Sequence, residues 1–164
     1  MVEDGAHGFD QAIVSMGRHF NFRTNPQVNV DPDTYLADFL TDQAVRFIDQ
    51  NKARPFFLYL PHFAVHVPHE AKKELISKYE KKQPSGGHHS PVYAAMIESL
   101  DQSVGRILDK LDELQLSGNT IVIFFSDNGG VGGYEAAGVP AKGITANAPL
   151  RGGKGMLYDG GIRV

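Results

Sequence analysis

Three short stretches of the sequence carry side chains able to do chemistry. In "TIVIFFSDNGG" an apolar run stops on Asp127 and Asn128, followed by Gly129 and Gly130. A carboxylate and an amide carbonyl are hard oxygen donors suited to calcium or magnesium, and the glycines let backbone fold closely around an ion. Asn-Gly is also the commonest tight-hairpin signal, but "GVGGYEAAG" supplies no alternating strand to pair back. In "PHFAVHVPHE" three histidines, His62, His66 and His69, stand four and three residues apart. That spacing is reminiscent of a zinc cluster on a helix, yet Pro61 and Pro68 prevent a regular helix there, and Lys73 occupies the second histidine position of His-Glu-x-x-His. Loop histidines bonded to backbone or solvent are the plain alternative. In "PLRGGKGMLYDGGIRV" a lysine, Lys154, is embedded in glycines. Ala148 and Gly155 break the phosphate-loop pattern at both ends, and Glu135 breaks the dinucleotide fingerprint begun by Gly130 and Gly132. What remains is a cation on a glycine-rich backbone, fit for a tetrahedral oxyanion, or a solvated lysine in a turn.

The elements that must position these groups follow from periodicity. Residues 34–51 place Leu36, Phe39, Leu40, Ala44, Phe47 and Ile48 at helical steps, with Thr41 or Asp42 able to cap a later start. "FFLYL", Phe56 to Leu60, reads as a buried strand closed by Pro61. Residues 71–82 read as a polar surface helix, and 83–91 as a flexible connection. From Tyr93 an apolar stripe through Met96, Ile97, Leu100, Val104, Ile107, Leu108, Leu111 and Leu114 predicts a long helix ended by Gly118. "TIVIFF" from Thr120 reads as a second strand. The order of helix, strand, loop, two helices and strand predicts an α/β fold with a mostly parallel sheet flanked by helices. Between Gly129 and Gly161 lie eleven glycines with little periodicity, the composition of a functional loop at the carboxyl end of a strand, where open α/β sheets bind ligands.

Composition excludes several classes. Sixteen Lys plus Arg against nineteen Asp plus Glu give a net charge of −3, without the basic block that nucleic acid or an anionic membrane would require. No apolar run approaches the roughly 20 residues of a membrane span, and "MVEDGAHGFD" lacks the pattern of a signal peptide. With no cysteine there is no disulfide, thiolate metal site or cysteine nucleophile in this sequence.

Taken together, "PFFLYLPHFAVHVPHE", "YAAMIESLDQSVGRILDKLDEL", "TIVIFFSDNGG" and "APLRGGKGMLYDGGIRV" resemble the type I sulfatases, the arylsulfatase family of the alkaline phosphatase superfamily, over nearly the whole chain. The resemblance implies residues 1–164 as the central to C-terminal part of a sulfatase catalytic domain, without its N-terminal nucleophile region or its C-terminal subdomain. It implies hydrolysis of sulfate monoesters by a formylglycine nucleophile lying outside this chain, since the C-x-P-S-R motif is absent. Asp127 and Asn128 match metal ligands for calcium, or magnesium in some members. His66 matches a histidine that contacts sulfate and assists protonation of the leaving alcohol, and Lys154 a lysine that neutralises a sulfate oxygen. His62, His69, Arg151 and Arg163 find no firm match. The implied partner is an aryl or carbohydrate sulfate ester, in a periplasmic, secreted or otherwise extracytoplasmic setting. With one formal negative charge in the metal pair, the chain alone is expected to bind calcium weakly or not at all, to be inactive, and to self-associate through uncovered apolar surface. Two alternatives are a phosphatase or phosphodiesterase of the same superfamily and a non-catalytic module that binds sulfated glycans.

Overall fold

The computed structural model describes residues 9–15, 17–132 and 144–163. It divides into two compact units, Met1–Lys73 with Ala95–Thr120, and Glu74–Ala94 with Ile121–Val164.

The first unit is built on two helices, α1 (Leu36–Asn51) and α3 (Pro91–Glu113), the latter beginning in the second unit. Helix α1 forms where the stripe predicts it, with Leu36, Phe39, Leu40, Ala44 and Ile48 all buried. Neither Thr41 nor Asp42 caps it. The helix starts after Tyr35, which is extended and gives no side-chain cap, and the first free amide, that of Leu36, instead donates to the His19 carbonyl at 2.7 Å. Leu36, Phe39 and Leu40 form the core cluster, joined by Ile13, Phe22, Val30, Leu60 and Phe63. Thr41 lies inside the helix, its hydroxyl 2.6 Å from the Ala37 carbonyl oxygen and 2.5 Å from Ser103 Oγ on α3. Ala95, Met96, Ser99 and Ser103 are buried along that face of α3, and the small residues among them allow close helix approach.

Helix α3 starts two residues before the predicted Tyr93. Pro91 occupies its first position, and the amide of Tyr93 donates to Ser90 Oγ at 3.2 Å, a serine N-cap followed by the proline favoured at N1. Nor does Gly118 end it. Gln115 takes φ 59°, and the amides of Gln115 and Leu116 donate to the carbonyls of Asp112 (2.9 Å) and Leu111 (2.8 Å). These two bonds make a Schellman closure, here with glutamine in the left-handed position usually given to glycine. Gly118 falls in the short 3₁₀ turn Ser117–Asn119 beyond it.

The second unit contains α2 (Lys73–Glu80), a polar helix burying only Leu75, a tight turn closed by the Ser85–His88 bridge, and the four-residue α4 (Asp159–Ile162). Among the described residues no sheet ladder forms; the pairings are the isolated bridges Val14–Asn25 and Ser85–His88. The two predicted strands have no paired neighbour. Ile121, Val122, Ile123, Phe124 and Phe125 are all exposed, from 53% to 90%, and Phe57 and Tyr59 are 74% and 64% exposed. Strand hydrogen bonds need a partner strand, so an apolar run alone cannot create a sheet.

Candidate functional site

The glycine-rich segments of the second unit build the acid-amide pair and the lysine together. Asp127 is exposed, and Ser126 Oγ donates to the Asn128 carbonyl at 2.7 Å, turning the chain just after the apolar run. Asn128 is half-buried, and its Nδ2 donates to the Gly129 carbonyl at 3.0 Å, leaving Oδ1 as the atom able to ligate a cation. Downstream backbone then returns against this turn. The Gly129 amide donates to the Gly161 carbonyl at 3.0 Å, and the Lys154 amide to the Gly130 carbonyl at 2.9 Å. The approach is backbone against backbone. A Cβ on Gly129 would overlap the Gly160 carbonyl oxygen, and one on Gly153 the Gly132 carbonyl oxygen. That contact accounts for glycines a periodicity search reads only as loop.

Lys154 is half-buried, and its ammonium has no carboxylate partner among the described residues. Beside it in sequence, the Arg151 guanidinium lies 4.0 Å from the Tyr158 ring centroid, a cation–π contact that occupies the arginine structurally. Arg163 is exposed, its amide closing α4 on the Asp159 carbonyl at 3.0 Å.

The histidines belong to the first unit. His66 is exposed; its Nδ1 lies 2.9 Å from the Val67 carbonyl oxygen and its amide donates to the Phe63 carbonyl at 2.9 Å. An acceptor at Nδ1 places the proton there and leaves Nε2 as the basic nitrogen. Behind it stands His19, fully buried and not singled out by its sequence context. Its Nε2 donates to the His66 carbonyl at 2.8 Å, its ring packs 4.9 Å from Phe63 and 5.7 Å from Tyr35, and its amide donates to Glu70 Oε2 at 3.2 Å. The loop is thus pinned to the start of α1. His62 is turned inward, Nε2 3.0 Å from Ser103 Oγ, and burial lowers its pKa. His69 is lowered by burial first and by the neighbouring His19 and His66 next. The Tyr35 hydroxyl donates to the Glu70 carbonyl at 3.0 Å; burial, then Asp38 and Glu70, push its pKa up.

The donor chemistry of Asp127 and Asn128 suits a hard divalent cation, as part of a ligand set. Six to eight oxygens are usual for calcium, and among the described residues no group of three His, Asp or Glu converges. No metal-ligand cluster of histidines forms either, because His62 points into the core while His66 is exposed. Two shallow surface depressions, lined by residues between Gly17 and Val30, contain none of these side chains.

Comparison with known proteins gives the family. The family model described as Sulfatase matches residues 2–164. A protein described as a sulfatase from Formosa agariphila is 40% identical over 151 residues, covering 85% of this chain and 26% of that protein. An N-acetylgalactosamine-6-O-sulfatase from Bacteroides thetaiotaomicron is 34% identical, covering 97% of this chain and 30% of its own length. The crystal structure of Ps i-CgsB in complex with k-i-k-neocarrahexaose is similar with a TM-score of 0.67 and 31% identity, over 86% of this chain and 29% of that one. The chain therefore spans between a quarter and a third of the length of these relatives. With the family model spanning nearly every residue, the chain belongs to the sulfatase family.

Proposed function

We propose that this chain is the metal-and-sulfate part of a sulfatase catalytic domain of the alkaline phosphatase superfamily, acting on sulfate monoesters outside the cytoplasm. The observation that carries the reading is the backbone seam that holds the Asp127–Asn128 turn against the Lys154 loop, Lys154 N–H to the Gly130 carbonyl at 2.9 Å. That seam brings an oxygen-donor pair and a half-buried cation onto one loop cluster. Family membership supports sulfate ester hydrolysis; in this reading the nucleophile is a formylglycine supplied by sequence outside these residues.

Asp127 and Asn128 would contribute ligands to calcium, or magnesium, which when bound neutralises charge on the sulfate oxygens. The Lys154 ammonium binds a sulfate oxygen and stabilises the charge that grows there as the ester S–O bond breaks. His66 has Nδ1 anchored on backbone, so its Nε2 is available to carry a proton to the leaving alcohol oxygen. The nucleophile outside these residues would bond to sulfur as the ester S–O bond breaks, and water would afterwards be consumed in releasing sulfate and regenerating that nucleophile. The relatives' names, one for an N-acetylgalactosamine sulfate and one, the human steryl-sulfatase, for a steryl sulfate, span carbohydrate and lipid-like alcohols, so the reading stays at the ester class.

The test is hydrolysis of 4-nitrophenyl sulfate against 4-nitrophenyl phosphate by the polypeptide extended to the length of its relatives and co-expressed with a formylglycine-generating enzyme. Calcium-dependent sulfate turnover that falls by about 10²-fold or more in Lys154→Ala supports the proposal, given the usual weight of one charge-stabilising donor. Preference for phosphate would move it to a sister phosphatase or phosphodiesterase. Sulfated-glycan binding without turnover, unaffected by Lys154→Ala, would make it a binding module.

A further inference from the structure

Asn147, in "TANAPLRGG", lies outside every group assigned above, yet its side chain makes four hydrogen-bond contacts to backbone of the second unit. Its Oδ1 accepts from the Gly130 amide at 3.1 Å, and its Nδ2 faces the carbonyls of Gly130 (3.1 Å), Gly152 (3.0 Å) and Gly132 (3.3 Å). The partners fix the amide orientation: a backbone N–H can only donate and carbonyls can only accept, so the oxygen and nitrogen cannot be exchanged. One carboxamide thus holds backbone of the turn after Asp127–Asn128 and backbone of the loop leading to Lys154. A Cβ on Gly130 would sit 2.8 Å from Asn147 Oδ1, so a side chain there would have to displace the carboxamide. The clamp is itself anchored. His88 Nδ1 lies 3.1 Å from Thr145 Oγ1 and accepts from the Ala146 amide at 3.4 Å; because that amide can only donate, the imidazole proton sits on Nε2.

We infer that Asn147 is a positioning residue, an amide clamp that sets the register between the Asp127–Asn128 turn and the Lys154 loop. The inference rests on the roles proposed above for Asp127, Asn128 and Lys154 only in its functional consequence; the clamp itself is readable without turnover. No other neutral side chain of this size offers an acceptor and two donors together. Aspartate keeps the shape but turns a carboxylate toward three carbonyl oxygens.

The experiment is amide hydrogen exchange on this 164-residue chain, read as protection factors at Gly129 and Lys154. Those two amides bond to Gly161 and Gly130, not to Asn147, so they report register rather than the deleted bonds. Asn147→Ala is expected to lower protection at both together by at least about tenfold while α1 and α3 amides keep theirs. Unchanged protection at Gly129 and Lys154 would overturn the clamp. Should helix protection collapse as well, Asn147→Asp decides the matter. Relative to the parent at the same pH, its introduced carboxylate is expected to release both amides near pH 8 and to give protection back near pH 4, around the ordinary aspartate pKa of about 3.9, where protonation returns a donor. Protection equal to the parent at both pH values would overturn the clamp. In the polypeptide of the relatives' length, kcat on 4-nitrophenyl sulfate should fall by at least about tenfold in Asn147→Ala with KM changed less. Absence of turnover in the parent would defeat the sulfatase reading and leave the exchange result to judge the clamp.

Discussion

At the scale of single residues, chemistry is set by what each side chain is bonded to. The three loop histidines illustrate this: they differ because His62 is half-buried and bonded to Ser103, His66 is exposed with Nδ1 on backbone, and His69 sits near two other imidazoles. For His62 and His69 the folded pKa lies below the ordinary 6.5, so the unfolded chain binds protons more readily as acid is added. Their contribution to stability is therefore present above about pH 6.5, and it is lost as pH falls from there through the folded values. Urea midpoints are expected to drop between about pH 7 and pH 5, and His62→Gln should flatten part of that drop. A slope unchanged by His62→Gln would assign the acid sensitivity elsewhere. The candidate site residues were legible as types and as a family resemblance. Asn147 and His19 were not, since one asparagine before a proline-containing loop and one histidine in a polar stretch carry no periodic or spacing signal.

At the scale of elements, hydrophobic stripes located α1 and α3 well because a 3.6-residue apolar period survives any tertiary context that buries one face. Their ends depended on capping, where local and tertiary partners compete. Ser90 before Pro91 starts α3 inside the stretch read as a flexible connection, because a cap is a local signal that the apolar stripe does not contain, and Ser90→Ala should cost about 0.5–2 kcal/mol in chemical denaturation. The other end inverted the usual rule. Gln115 holds the positive φ that lets the Leu116 amide reach the Leu111 carbonyl, while Gly118 serves only the turn after it. Because a side chain costs about 1–2 kcal/mol in the left-handed region, Gln115→Gly should stabilise the chain, by up to about 1 kcal/mol after glycine's own entropy. A loss of stability would mean that the glutamine side chain compensates locally.

At the scale of the whole molecule, the dominant fact is uncovered apolar surface. Five consecutive residues, Ile121 to Phe125, are exposed, and each would contribute about 1.5–3 kcal/mol if fully buried. Such a run with unpaired backbone groups favours association. Light scattering across a concentration series should show self-association of this chain, reduced in Ile123→Lys; a concentration-independent monomer would rule it out. Calcium titration calorimetry on the same chain is expected to show no micromolar affinity, because Asp127 and Asn128 bring one carboxylate to a site that ordinarily needs several. No helix among the described residues is long and apolar enough to cross a membrane.

The sequence by itself determined where the helices lie, which residues are able to hold a cation or an oxyanion, and, through four motifs in order, the family. Those properties are local: a stripe, a side-chain type, a spacing. Only the tertiary structure decided that the first amide of α1 donates to the His19 carbonyl and that His62 turns inward. It also decided that the glycines of 129–132 and 152–161 press backbone to backbone, with Asn147 bonded to both stretches. The same holds for the runs expected as strands. An apolar run records a preference for burial, whereas a ladder needs a second strand at hydrogen-bonding distance, and that partner is a property of contacts between distant segments.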